Sequence, residues 1–263
     1  MPSESTVPLL LVSTDGPITI LALNRPEKRN ALNLGLLDQL TAAVTAAEQD
    51  KAQRVLILRG EGPAFCAGLD LSEAATPEQA HRLAELIALA LRLLSSTRLV
   101  TIAAVHGAAI AGGAGLMTAC DFAVVAQGTR IGYPETRRGL VAALVMTFLR
   151  RQVRERDARE LLLTGELIDA GQALAMGLVN REVHARDLMS TARGYADTVL
   201  CGGPEAVANT KRLLAELWPR PVQADLDRAL AFHLEARNSP EAAEGIAAFK
   251  EKRSPNWVPS SSR

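Results

Sequence analysis

The chain has 263 residues, enough for one large domain or a domain with an appendage, and its 48% hydrophobic and 22% charged content excludes a chain disordered throughout. Its 29 basic and 29 acidic residues cancel, so no global field draws it to nucleic acid or anionic lipid. Cys66, Cys120 and Cys201 lack metal-ligand spacing, "MPSESTVPLLLV" lacks a basic signal-like start, and no apolar run reaches the ~20 residues that span a bilayer, so the expectation is a cytoplasmic protein with reduced thiols.

In chain order, "VPLLLVSTDGPITILALN" reads as two strands joined by a turn at Thr14-Asp15-Gly16-Pro17. "RPEKRN" follows as a charged loop. Asn33 suits the N-cap of a helix whose apolar stripe is Leu36, Leu37, Leu40, Ala43 and Val44. "RVLILRG" is a buried strand that ends in the loop "GEGPAFCAG". Thr76-Pro77 opens a helix that runs to about Leu94, with proline at its first position. "LVTIAAV" is the next buried strand; a helix starts within "GGAGLMTAC", and "DFAVVA" returns as a strand. From about residue 141 the pattern is helical, interrupted by "TGELIDAG" and a short strand at "GLVNREV". From about 186 the chain reads as helices separated by "CGGPE", "WPRP" and "NSP". Strands alternating with helices predict an α/β sheet covered by helices, with an all-helical C-terminal part.

Both buried strands "RVLILRG" and "LVTIAAV" run into loops of small residues. The first is Ala64-Phe65-Cys66-Ala67-Gly68-Leu69-Asp70; the second holds Ala111-Gly112-Gly113. Main-chain N–H groups at such loop ends lack partners, and a missing Cβ lets a ligand approach them. Two of them facing one oxygen would make an oxyanion hole. The same residues also serve simple close packing of helix on sheet. Neither a dinucleotide fingerprint nor a P-loop fits their spacing.

Together the two loops, with their neighbours, resemble the crotonase superfamily, the enoyl-CoA hydratase/isomerase family. The resemblance rests on "LNRPEKRNAL" (23–32), "AFCAGLDL" (64–71), "HGAAIAGGAGLMTACDFAVVA" (106–126), "YPETRRGL" (133–140), "LLLTGELIDAGQALAMGLVNREV" (161–183) and "GIAAFKEKRSPNW" (245–257). It implies a β-sheet spiral core over residues 1–185 and a helical region, 186–263, that covers the coenzyme and mediates assembly into a homotrimer or a dimer of trimers. It implies an acyl-CoA substrate, with CoA entering as part of that substrate and no separate cofactor or metal.

The resemblance also implies roles. The amides of Leu69 and Gly112 would hold the thioester oxygen as an enolate forms, with Ala111 where the family has the first glycine of a triplet. Ala67, Gly68 and Asp70 of the first loop would contact the substrate. Lys28 and Arg29, with Arg25 nearby, and Phe249 with Lys252 at i, i+3 on one helix face, would meet the CoA moiety. Family hydratases generally use two glutamates. One is Glu135; the other position is Gly115. A proton shift between C2 and C4 needs a single base, so a lone Glu135 favours isomerisation of an enoyl-CoA. The alternatives are hydration, other CoA-thioester chemistry (decarboxylation, dehalogenation, hydrolysis) and CoA binding without catalysis.

From the residues alone, Glu135 also reads as an ion-pair partner of Arg137 or Arg138, and Asp70 as a helix cap. His106 reads as a packed or loop-bonding residue, and His81, His184 and His233 as isolated.

Overall fold

The computed structural model describes residues 8–72, 76–217 and 222–256; the "WPRP" break, the extreme N-terminus and Trp257 lie outside them. Gly16 and Pro17 reverse the chain, so β1 (Leu10–Asp15) and β2 (Ile18–Leu23) form an antiparallel pair. After a 3-10 turn at Pro26–Lys28, Asn33 caps α1 (Leu34–Gln49) by accepting the Leu36 amide at 2.9 Å. Of the expected stripe, Leu36, Leu37, Leu40 and Val44 are fully buried and Ala43 is half-buried. β3 (Val55–Gly60) follows, and Thr76 opens α2 (Pro77–Ser96) in a capping box with Gln79.

β4 (Val100–Val105) bends at Gly107 into β5 (Ala108–Ile110), which leads to α3 (Gly112–Ala119). β6 (Phe122–Ala126) continues in the same way into β7 (Arg130–Gly132). A 3-10 turn at Pro134–Arg138 precedes α4 (Ala143–Gln152) and α5 (Glu155–Thr164). Then come β8 (Leu167–Ile168), α6 (Ala170–Ala175), β9 (Arg181–Val183), α7 (Leu188–Leu200), α8 (Pro204–Glu216), α9 (Val222–Arg237) and α10 (Pro240–Glu251).

The main sheet runs β1-β2-β3-β4-β6-β9 and is parallel from β2 onward; a small second sheet runs β5-β7-β8. Each of β4 and β6 therefore crosses from the large sheet into the small one before its helix. That winding is the spiral α/β core implied by the crotonase resemblance. The small sheet was not legible in the sequence, because strands of two or three residues are too short to show a period.

Alternation along the buried strands sorts their side chains onto two faces. Leu56, Leu58, Ala103 and Val105 join the larger core under α1 to α4, while Val55, Ile57, Ile102 and Ala104 pack with Leu188, Ala192 and Ala196 of α7. The C-terminal helices differ in their attachment. α9 buries Leu226 and Ala229 against α2 and α4, and α10 lies on the 3-10 turn at Pro134–Arg138. α8 buries no residue, and Leu213, Leu214 and Leu217 at its end are exposed.

The loop after β3 is zipped to β5 by main chain. Cys66 donates to Ala108 O at 3.0 Å and accepts from Ile110 at 3.0 Å, a parallel bridge between Cys66 and Ala109. Gly113 packs directly on this bridge: a Cβ there would overlap the Cys66 carbonyl and stand 2.8 Å from Cys66 Cβ. Gly113→Ala is therefore expected to destabilise the fold by about 1–3 kcal/mol, measured by denaturant unfolding.

Candidate active site

Two features set the first loop. Gly68 has φ +94°, and a Cβ on it would sit 2.9 Å from the Ile110 carbonyl oxygen, so only glycine fits. Arg25 and Asp70 then pin its far side: Arg25 donates to Ala31 O at 2.6 Å and pairs with Asp70 at 3.1 Å. Arg25 is thus a buried structural residue rather than one of the free cations of its loop. Asp70 also accepts from the amide and hydroxyl of Ser72, capping a turn and not a helix. Hydrogen bonds from Ser72 and Arg25 hold its carboxyl below its ordinary pKa against the cost of burial. Of the packed and loop-bonding readings of His106, the second holds: it contacts the Gly62 carbonyl through Nε2 at 2.8 Å.

The second loop ends at Gly112, the first residue of α3, whose amide has no intrahelical acceptor. Among the described residues neither the Leu69 amide nor the Gly112 amide donates to the protein's own carbonyls. Leu69, Ala67, Ala111 and Gly112 all line one cavity of about 630 Å³, a volume typical of small-molecule sites. The Cys66 thiol beneath is fully buried, with its pKa pushed up to about 12, which leaves it unreactive.

Ala111 carries strain. Its backbone lies at φ 51°, ψ −117°, a region that suits glycine and costs a residue with a Cβ. The Ala111 amide is tied to Gly132 O at 2.8 Å and its carbonyl accepts from Gly115 at 2.9 Å, so the conformation is held from both sides. Replacing the family's glycine by alanine here is therefore a strained change, not merely a small one.

Glu135 enters the same cavity from the 3-10 turn Pro134–Arg138. Its Oε2 is buried and, among the described residues, has no hydrogen-bond partner. The ion-pair reading does not hold: Arg137 pairs with Glu166 and donates to Thr164 O, and Arg138 lies over the Phe249 ring at 4.5 Å from its centroid. Burial raises the Glu135 pKa from 4.5 to about 7, against the opposing pull of its own amide and of the Arg138 charge. The carboxyl is thus poised to exchange a proton near neutrality.

The position of the second family glutamate is closed. A Cβ on Gly115 would overlap Val145 Cγ1 and stand 3.2 Å from Val145 Cβ and 3.5 Å from Leu91 Cδ2. Val145, from α4, itself lines the cavity, so an aliphatic side chain fills the room that a carboxylate would take. Asp70 and Glu135 are the carboxylates of the cavity wall among the described residues, and Asp70 is committed to Arg25 and Ser72.

Lys28, Arg29 and Phe249 all line the cavity, which brings the expected CoA-facing groups together within a single chain. Lys252 does not join them. α10 ends at Glu251, and Lys252 is its C-cap, in a left-handed conformation at φ 55°. Its neighbour Lys250 lines the cavity instead. Sequence reasoning missed Lys250, because helical spacing favours i, i+3 over the adjacent residue. It also set aside His233, which α9 brings into the cavity wall; no local motif marks it.

The sequence profile of the enoyl-CoA hydratase/isomerase family matches residues 14–260. The chain belongs to that family. It is 37% identical over 92% of its length, and 98% of the relative's, to a Thermus thermophilus protein that carries a provisional enoyl-CoA hydratase name. It is 32% identical to the crotonyl-CoA hydratase of Syntrophomonas wolfei, over 95% of this chain and 97% of that one. The crystal structure of an enoyl-CoA hydratase from Mycobacterium avium superposes with a TM-score of 0.85 at 34% identity, covering 95% and 99% of the two chains. Among the described residues there is no cluster of metal-binding side chains, and no helix is long and apolar enough to cross a membrane.

Two outcomes follow from this geometry. Ala111→Gly is expected to stabilise the protein by about 1 kcal/mol, the relieved strain outweighing the added freedom of the unfolded chain, as read from thermal or denaturant unfolding. For Glu135 the folded state keeps its proton up to about pH 7 while the unfolded chain loses it near 4.5, so the wild type loses stability as pH rises through that window. Glu135→Gln removes this penalty. Unfolding at pH 5 and pH 8 should therefore show the variant gaining about 2.5 kcal/mol on the wild type at the higher pH.

Proposed function

We propose that this family member forms an enolate from an acyl-CoA thioester and moves one proton with a single carboxylate, isomerising an enoyl-CoA. The substrate oxygen accepts from the Leu69 and Gly112 amides, with Ala67, Gly68 and Asp70 beside it. Lys28, Arg29, Lys250 and Phe249 meet the CoA moiety. Glu135, as carboxylate, takes a proton from C2 of a 3-enoyl thioester. The electron pair passes into the carbonyl, giving a dienolate whose charge the two amides stabilise. Glu135 then returns the proton at C4, and the double bond becomes 2,3.

The observation that carries this reading is Val145 packed over Gly115. Water addition commonly divides its proton transfers between two groups, whereas a 1,3-shift reuses one. Hydration is the second reading, favoured by the hydratase names of the relatives. It would ask Glu135 alone both to activate water and to protonate C2.

The same proposal divides the chain into a core of residues 1–185 and a helical cover of 186–263. It includes self-association as a trimer or a dimer of trimers, for which the exposed leucines of α8 are support.

Assays with cis-3-enoyl-CoA and trans-2-enoyl-CoA of matched length separate the two reactions. The expected result is conversion of the first into the second, with kcat/KM rising as pH increases through about 7, where Glu135 becomes a base. Glu135→Gln should lower kcat by about 10²–10⁴. Hydration of the trans-2 substrate with no double-bond shift would overturn the isomerase reading.

A further inference from the structure

His233 is a polar group in a cavity wall to which α2 and α4 supply hydrocarbon. It stands on α9, and α9 packs against α2 and α4. Those two helices present Ile87 and Val145 to the same cavity, together with Leu144 of α4. The cationic groups come from elsewhere: Lys28 and Arg29 from the turn after β2, Lys250 from α10. A thioester whose oxygen lies between the Leu69 and Gly112 amides, with its CoA leaving along these cations, sends its acyl chain toward α2, α4 and His233.

We propose that His233 reads the distal end of the acyl chain, and that the acyl groups favoured by this site carry a hydroxyl there. The inference rests on the thioester placement of the preceding section and adds the substrate class to it. Its chemical basis is the state of the imidazole. The half-buried ring lies near the Val141 carbonyl, which favours a proton on the nitrogen turned toward it. A nitrogen that faces a carbonyl must carry the proton, so the other nitrogen of a neutral ring is an acceptor.

The ring is kept neutral at physiological pH: burial lowers its pKa, and the Arg237 charge one turn along α9 lowers it further, outweighing the Val141 carbonyl. Arg138 adds positive charge on the cavity wall, with Glu135 beside it. The complement of a neutral acceptor in an apolar wall is an O–H donor. A plain alkyl end would leave that nitrogen buried and unsatisfied, which is how a site built for a hydrogen bond discriminates against a chain lacking one.

The test uses the full-length protein and saturated acyl-CoA esters of four, six and eight carbons, each with a methyl, hydroxymethyl or carboxyl end. Dissociation constants come from calorimetric titration at pH 7.5, so the result does not depend on which reaction the enzyme performs. For at least one length the hydroxyl-ended ester is expected to bind about fivefold or more tightly than the methyl-ended one. His233→Phe should abolish or reverse that ratio, while His233→Asn, which keeps an acceptor, should retain part of it. Thermal unfolding of each variant checks that it is folded, and the ratio of two ligands on one variant is insensitive to a general loss of packing. Equal or tighter binding of the methyl-ended ester at every length overturns the inference and leaves the enolate chemistry standing. So does preference for the carboxyl end, or a ratio unchanged in His233→Phe. Failure to bind any CoA ester overturns both.

Discussion

The main-chain bridge between Cys66 and Ala109 is the contact on which the site depends. Two loops that end different strands are joined there by backbone hydrogen bonds, so the Leu69 and Gly112 amides are held in one cavity by the sheet itself. Nothing about the side chains of Leu69 or Gly112 is needed. What is needed is the absence of side chains at Gly68 and Gly113, where a Cβ would meet the Ile110 and Cys66 carbonyls. Donors set by such a scaffold need little reorganisation as charge develops, which is the condition for strong electrostatic stabilisation.

The strain at Ala111 belongs to the same arrangement. Its unfavourable backbone is enforced by Gly132 on one side and by the first turn of α3 on the other. The cost is borne at the residue that leads directly into the Gly112 amide, and the surrounding strands and helix supply the stability that keeps it there.

In the proposed chemistry, the proton step is decided by exclusion. Glu135 titrates near neutrality because burial with one oxygen unpartnered outweighs the nearby Arg138 charge, while Arg137 pairs with Glu166 instead. The second carboxylate's place is taken by Val145, so the cavity joins one proton-exchanging acid to an aliphatic wall interrupted by His233. Because α9 and α10 cover the cavity of their own chain, the mouth and the wall are shaped by helices more than 80 residues beyond the loops that hold the thioester oxygen in the proposed chemistry.

Much of this was local and therefore legible in the sequence. The Asn33 and Thr76 caps, the buried strands, the Gly-rich turns and the missing glutamate at 115 depend on neighbours within a few residues or on a linear motif. Tertiary structure alone decided the rest. Strands as short as β5, β7 and β8 exist only because another strand lies beside them, and the pairing of Arg25 with Asp70 joins residues whose partnership no periodicity encodes. Lys250 rather than Lys252 lines the cavity, which helical spacing alone does not decide, and His233 became a wall residue only when α9 packed on α2 and α4. Sequence spacing specifies which residues share a face of one element; which faces meet is fixed by packing between elements distant along the chain.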